Sequence, residues 1–238
     1  MAGHSKWANI KHKKERADKK KGKEFSRIAK EIINAVKQNG PDPKNNSKLK
    51  LVIQKAKTAN MPNDILERNI KKASSTNQEN FTEMTYELYG HGGVGIIADI
   101  MTDNKNRISS DIRIATNKCG GSVATPGSVA FNFDRKGIIQ INKKDAIEDE
   151  LFLIASEAGA EDFDTDEDYY IIVTAVDDLF KIKEALIENK INCEDSSLEM
   201  IPKTSVQCSK EDQEANQKLI DFLENIDDVD AIYHNMEI

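Results

Sequence analysis

The sequence predicts an α+β protein of three domains, an N-terminal three-helix bundle followed by two ferredoxin-like α+β domains, one inserted in the other. Three observations carry this. The first 78 residues hold three amphipathic stripes of helical spacing, a polar stretch at 74–80 interrupts the pattern, and strand-like and helix-like segments then alternate in two series to the C-terminus. The domains are drawn at 1–78 for a basic tail and the bundle, 79–134 with 206–238 for one α+β domain, and 135–205 for the inserted one.

Taken in order, residues 1–24 carry few large apolar side chains, cannot offset their ordering entropy by burial, and are expected to be mobile until they meet a partner. Phe25, Ile28, Ala29, Ile32, Ile33 and Val36 then follow one helix face, and Asn39-Gly40-Pro41 supplies the stop. Leu49, Val52, Ile53 and Ala56 form a second stripe. Ile65, Leu66, Ile70 and Ala73 form a third, entered after Pro62, a residue suited to a first helical turn. Ser74 to Asn80 has no apolar residue and reads as a linker.

Beyond it, strands are expected at 84–88, 94–101 and 129–133, with a helix at 108–119. The second series runs strand 138–141, helix 146–158, strand 170–174, helix 179–189, strand 198–201. A last helix carries Ala215, Leu219, Phe222, Leu223 and Ile226 on one face, with Ser209 as its cap, and a final strand spans 231–236. The first series lacks a closing helix and strand, which the C-terminal thirty residues can provide; hence the insertion.

Charge divides the chain as sharply as periodicity does. Overall there are 34 Lys+Arg against 41 Asp+Glu, a net of −7, yet residues 1–75 hold 20 against 7 (+13) and residues 76–238 hold 14 against 34 (−20). A basic arm joined to an acidic body points to an anionic partner for the arm. Cys119, Cys193 and Cys208 are odd in number and form no C-x-x-C pair, so neither a disulfide framework nor a zinc knuckle is expected. No apolar run has membrane-spanning length and the basic N-terminus lacks the apolar stretch of a signal peptide, so a cytoplasmic protein without a membrane partner is expected.

The chemistry-bearing candidates are concentrated in the basic segment. Lys11, Lys13, Lys14, Arg16, Lys19, Lys20, Lys21 and Lys23 can each neutralise a phosphate and release a counterion, and Lys6, His12, Arg27, Arg68, Lys71 and Lys72 extend the same nucleic-acid-binding surface. Lys30 and Lys37, with Lys50 and Lys57, add further positive charge on the first two helices. Trp7 can stack on an unpaired base, although a lone Trp in a polar tail more commonly anchors the tail to its domain. The second and third helices, joined by Ala59-Asn60-Met61-Pro62, have the form of a helix-turn-helix, as does any such pair in a small bundle.

Other patterns dissolve on inspection. Gly90, Gly92 and Gly95 fit G-x-G-x-x-G, but a strand follows where a dinucleotide site needs a helix, so a glycine-rich hairpin turn is expected. Asp162 to Asp168 resembles the start of a calcium loop, but Glu167 replaces the required glycine and Val173 the bidentate glutamate; an acidic loop is expected. His4, His12, His91 and His234 have no partner at metal-ligand spacing, and no nucleophile set can be singled out. The chain is expected not to be an enzyme and to need no metal or cofactor.

Met1-Ala2-Gly3-His4-Ser5-Lys6-Trp7 with Ile10 to Lys14, Asp18 to Lys23 before Phe25-Ser26-Arg27, Asn60-Met61-Pro62, Ile70-Lys71-Lys72, Asp103 to Arg107, Gly127 to Ala130 and Asp134 to Gly137 together resemble the YebC/PmpR family over the whole chain. That family is described as probable transcriptional regulators whose mitochondrial relatives are translational activators. It usually shows Gly where Leu88 stands, Pro at His91 and often Ala at Gly95, so no detailed role is carried onto that loop. The resemblance implies the three-domain fold and a cytoplasmic, DNA-binding regulator of transcription acting through the basic N-terminal domain. The alternative is an RNA-binding, ribosome- or rRNA-directed activator of translation. The acidic α+β domains are left as a surface for a protein partner.

Overall fold

The computed structural model describes residues 17–74, 81–166, 168–193 and 195–237. Contacts divide them into two compact units, Ala130–Ser205 with Glu237, and the described residues from 17 to 129 together with Val206–Met236. The fold is α+β with seven α-helices and two four-stranded antiparallel sheets among the described residues.

The larger unit begins with the bundle: α1 (Ala17–Asn39), α2 (Ser47–Thr58) and α3 (Asn63–Ala73). Ile28, Ile32, Ala35 and Val36 of α1 meet Leu49 and Ala56 of α2 and Leu66 and Ala73 of α3 in one buried cluster. The α1–α2 corner is held by Asn46. Its buried side chain accepts from Leu49 N at 3.0 Å as the N-cap of α2 and donates to Ala35 O and Gly40 O, each at 2.8 Å. α2 ends on Asn60 in the left-handed region (φ 56°), with Met61 N donating to Ala56 O at 2.9 Å.

One part differs from the sequence expectation. Residues 1–24 were expected to be a mobile tail, whereas 17–24 form the first turns of α1. Alanine, lysine and glutamate are good helix formers, and Lys23 is fastened to the body, as described below.

The rest of the larger unit is a sheet of order β3-β1-β2-β8, built from β1 (Thr82–Tyr89), β2 (Gly95–Thr102), β3 (Ser122–Val123) and β8 (Val229–His234). α4 (Lys105–Cys119) and α7 (Lys210–Glu224) cover one face, where Leu88, Ile96, Ala98 and Ile100 meet Ile108, Ile112, Leu219 and Leu223. β2 is buried on both faces, since Ile97 and Met101 on the opposite side are also inaccessible. That explains why apolar residues, Asp99 apart, occupy both faces of the strand.

The Ala130–Ser205 unit holds β4 (Phe133–Asn142), α5 (Glu148–Ala158), β5 (Asp162–Thr165), β6 (Tyr169–Thr174), α6 (Leu179–Glu188) and β7 (Asp195–Pro202), with sheet order β5-β6-β4-β7. This is the βαββαβ ferredoxin-like path. The sheet of the larger unit has the same antiparallel layout but a ββαβαβ path, because its two central strands form a hairpin before the first helix.

Two further expectations are corrected. The acidic run at 162–168 is not all loop: Asp162–Thr165 is edge strand β5, with Phe163 packed on Tyr170 (ring centroids 5.8 Å apart) while Asp162 is exposed. Outward acids suit an edge strand, since charge discourages pairing with another chain. The strand expected at 129–133 is a helical turn at Ala130–Asn132, and β4 begins only at Phe133.

Candidate nucleic-acid interface

In the bundle the apolar stripes face inward, so the lysines between them point outward. Lys48, Lys50, Lys55 and Lys57 on α2 are exposed, and so are Arg68, Lys71 and Lys72 on α3. Lys50 and Lys57 lie seven residues apart, as do Lys48 and Lys55, which sets them in two rows along the helix. Lys48 donates to Gln38 Oε1 at 2.7 Å and Lys55 pairs with Glu31 at 2.6 Å. Arg68 lies 3.8 Å from Asp64 with both side chains largely exposed, a pair of little energetic weight.

The basic residues of α1 are used differently. Lys23 Nζ donates to the backbone oxygens of Glu224 and, at 3.1 Å, Val229. Lys30 Nζ donates to Met101 O at 2.9 Å and Asp227 O at 3.2 Å. Arg27 Nε lies 3.2 Å from Glu31 and 3.8 Å from Asp230, and Lys30 Nζ is 3.7 Å from Asp230. Asn34 completes the contact by pairing its amide with both main-chain groups of Phe81, at 2.8 and 3.0 Å. One side of α1 thus closes on the β2–β8 edge of the sheet through polar groups.

Asp230 is placed there by a bulge. Asp99 pairs with Ala231 and Ile100 with Val229, which leaves Asp230 as the extra residue of β8. Burial pushes its carboxyl above the ordinary aspartate range, opposed by Lys30 and Arg27. Burial lowers the Lys23 ammonium, against the pull of Glu224 and Asp230. For Arg27 burial acts downward too, but Glu31 and Asp230 outweigh it and the net direction is up.

The predicted site residues therefore fall into three groups. Lys6, Trp7, Lys11, His12, Lys13, Lys14 and Arg16 lie outside the described residues. Lys19, Lys20 and Lys21 fall on the first turns of α1, and Arg68, Lys71 and Lys72 share the exposed side of α3. Lys23 and Arg27 are turned to the body. Sequence reasoning missed Asp230 and Asn34. A lone acid in a C-terminal strand gives no signal until the register with β2 is known.

The glycine-rich segment forms the β1–β2 hairpin, with 90–94 as its turn and Gly95 as the first residue of β2. Its conformation is set by the buried Asn216 of α7, which accepts from His91 N at 2.7 Å and donates to His91 O at 3.0 Å. Gly90 is required there, because a β-carbon would collide with Asn216 Oδ1. Among the described residues no group of three or more His, Cys, Asp or Glu is arranged to hold a metal ion, and no helix is long and apolar enough to cross a membrane.

Two family models match the chain. Residues 5–76 match the family model for the TACO1/YebC protein N-terminal domain, and residues 81–236 match that for the TACO1/YebC second and third domain. The chain belongs to the TACO1/YebC family. A relative from Protochlamydia amoebophila, called a probable transcriptional regulatory protein, is 66% identical over 238 residues, spanning 100% of this chain and 97% of its own. Another of that description from Chlamydia pneumoniae is 58% identical over 237 residues, spanning 99% and 100%. Among solved structures of similar fold, a conserved hypothetical protein from Aquifex aeolicus superposes with a TM-score of 0.77 at 38% identity, over 91% of this chain and 90% of that one. The stretch expected as a linker, 74–80, lies from residue 75 outside the described residues; in TACO1/YebC terms, one family-model match ends at 76 and the next begins at 81.

Proposed function

We propose that this TACO1/YebC chain is a cytoplasmic, non-enzymatic regulator of gene expression that binds nucleic acid through its N-terminal domain, with DNA-binding control of transcription as the first reading. The observation that carries it is the set of exposed lysines and arginine on α2 and α3, on the +13 portion of a chain whose remainder is −20. A cationic face contacts phosphate along any sequence, while the acidic remainder is repelled by a duplex, so contact is one-sided. Relatives called probable transcriptional regulatory proteins support DNA as the target.

The second reading, an rRNA-binding activator of translation, is favoured by one feature of α3. In a helix-turn-helix the start of the second helix reads base edges in the major groove. Here that start is Asn63-Asp64, with Glu67 one turn on, and the cations come later. An acidic first turn is poorly suited to duplex DNA and leaves phosphate contact as the main mode. Crosslinking in cells with sequencing of both DNA and RNA tests the choice. Promoter-enriched DNA supports the first reading; enrichment of ribosomal RNA with no promoter signal replaces it with the second.

A further inference from the structure

The two edges of the sheet in the Ala130–Ser205 unit are built differently. With the order β5-β6-β4-β7, the outer strands are β5 and β7. β5 is four residues long, and two of the four are aspartates. β7 has eight residues, pairs with β4 in unbroken register from Phe133↔Pro202 to Gln140↔Asp195, and carries no proline before its last position. A long, regular edge of this kind is a template for a further strand. The register also fixes which main-chain groups are open. Lys203 N donates to Asn132 O at 2.7 Å, so residues 195, 197, 199 and 201 turn their N–H and C=O groups toward β4, and 196, 198 and 200 turn theirs away. Ser196 N is taken by the Asp195 carboxylate at 2.8 Å, but the N–H and C=O groups of Leu198 and Met200 have no partner among the described residues.

A helix flank lies along this edge. Lys183 Nζ of α6 donates to Ser196 Oγ at 2.9 Å, which turns that side of the helix toward β7. Phe180 and Ile187, three residues before Lys183 and four after it, belong to the same flank, whereas Leu179, Ile182 and Leu186 are turned into the core. Phe180 and Ile187 are 64% and 59% exposed. Their stripe is about 10 Å long, the length of about three strand residues. A strand added about 4.8 Å outside β7 extends the sheet on the flank that carries them. Charge selects the occupant. Residues 177–199 hold seven acids against three lysines. On the sheet face away from α6, β7 presents Asp195, Ser197 and Glu199; the one cation in register with them, Lys136 opposite Glu199, is paired with Glu161 at 2.6 Å. Edge-to-edge pairing with a second copy would bring two such acidic rows together, whereas a basic strand complements the row.

We propose that β7 accepts an extended segment of a protein partner as a fifth strand of its sheet, with alternate apolar side chains on the side of Phe180 and Ile187 and lysines or arginines on the side of Asp195 and Glu199. This is strand addition: main-chain bonds to Leu198 and Met200 supply affinity, and the alternating side chains supply selection. Because the period of a strand is two residues, the same segment satisfies both sides at once, apolar toward the helix flank and cationic toward the acidic row. The edge belongs to the unit that lacks the lysines of the bundle, so its occupation and nucleic-acid binding are measured separately.

The test uses the full chain and a short fluorescent peptide alternating valine and lysine, with the same peptide methylated on its main-chain nitrogens as control. The wild-type chain is expected to bind the parent peptide about tenfold more tightly than the control. On binding, amide exchange at Leu198 and Met200 should slow, while Ser197 and Glu199, already in the ladder with β4, change little. Phe180→Ser should lose about tenfold in peptide affinity at an unchanged melting temperature. Met200→Pro removes an outward N–H that the ladder does not use, and should weaken binding by a similar factor. Should the proline variant melt early, Phe180→Ser and the exchange pattern of the wild-type chain decide. Equal binding of the two peptides, binding without slowed exchange at Leu198 and Met200, or undiminished binding by both variants overturns the proposal. So does a peptide-free wild-type dimer in which those two amides are already protected and which Met200→Pro dissociates, because the occupant is then a second copy.

Discussion

Lys30 and Asp230 are separated by 199 intervening residues yet lie 3.7 Å apart, with 13% and 7% of their side-chain surfaces exposed. The pair joins the bundle to the sheet at the bulge in β8. Because burial already disfavours the ionised carboxylate, its two cationic neighbours are what keep the charge tolerable there. The two partners are therefore unequal. Asp230→Asn, which resembles the protonated acid, should change stability by less than about 1 kcal/mol at neutral pH, whereas Lys30→Met, which leaves the buried acid with only Arg27, should cost about 1–3 kcal/mol. Chemical denaturation of the two variants measures the asymmetry.

The same pair sets a pH dependence. An acid whose pKa is higher in the folded than in the unfolded state binds more protons when folded, so its contribution to stability falls as pH rises through the interval between the two values. Removing the Lys30 charge raises the folded value further and widens that interval. The penalty of Lys30→Met should therefore shrink as the pH is lowered from about 7 to about 5. A penalty that grows on acidification would contradict the placement of Asp230.

Glu87 makes a separate junction within the larger unit. Its carboxylate accepts from Gly127 N at 2.5 Å and Val129 N at 2.6 Å, which ties the segment before Ala130 to β1. Glutamine keeps one acceptor and presents an amide where the second N–H points. Glu87→Gln should cost about 1–3 kcal/mol, read from thermal melts, with secondary structure retained.

Asn216 should prove as exacting. Alanine there leaves His91 N unsatisfied and His91 O with only Val94 N, at 3.3 Å, for a loss of about 2 kcal/mol. Hydrogen exchange at the 90–95 hairpin should speed up more than in β7, which lies in the other compact unit.

Helices and strands with a clear apolar period were legible in the sequence because burial itself writes that period. The stripe of Phe25, Ile28, Ile32 and Val36 became the α1 core face, and Ser209 caps α7 by accepting from Asp212 N at 3.1 Å. Segments too short or too charged to show a period were not legible. β3 is two residues long, and β5 carries Asp162 and Asp164 around one inward Phe163. Charge alone marked the lysines but not their partners. Lys23 and Lys50 look alike in sequence, yet one donates to the main chain of the body and the other is exposed, a difference that arises only when α1 meets β8. Asp103 and Arg107, quoted as family markers, turn out to pair with each other at 2.6 Å, with Arg107 also 2.7 Å from Asp228. Both contacts lie at the start of α4.

The most direct measurement is nucleic-acid affinity against salt for the wild-type chain and for Lys50→Glu/Lys57→Glu/Lys71→Glu, using promoter duplex, random duplex and an rRNA fragment. These three exposed lysines touch neither the core nor the β8 junction. The expected result is a loss of affinity of similar size for every sequence within one type of nucleic acid, with the duplex salt slope falling by about 0.9 for each phosphate contact removed. Unchanged affinity and slope for all three targets would contradict phosphate binding through the bundle.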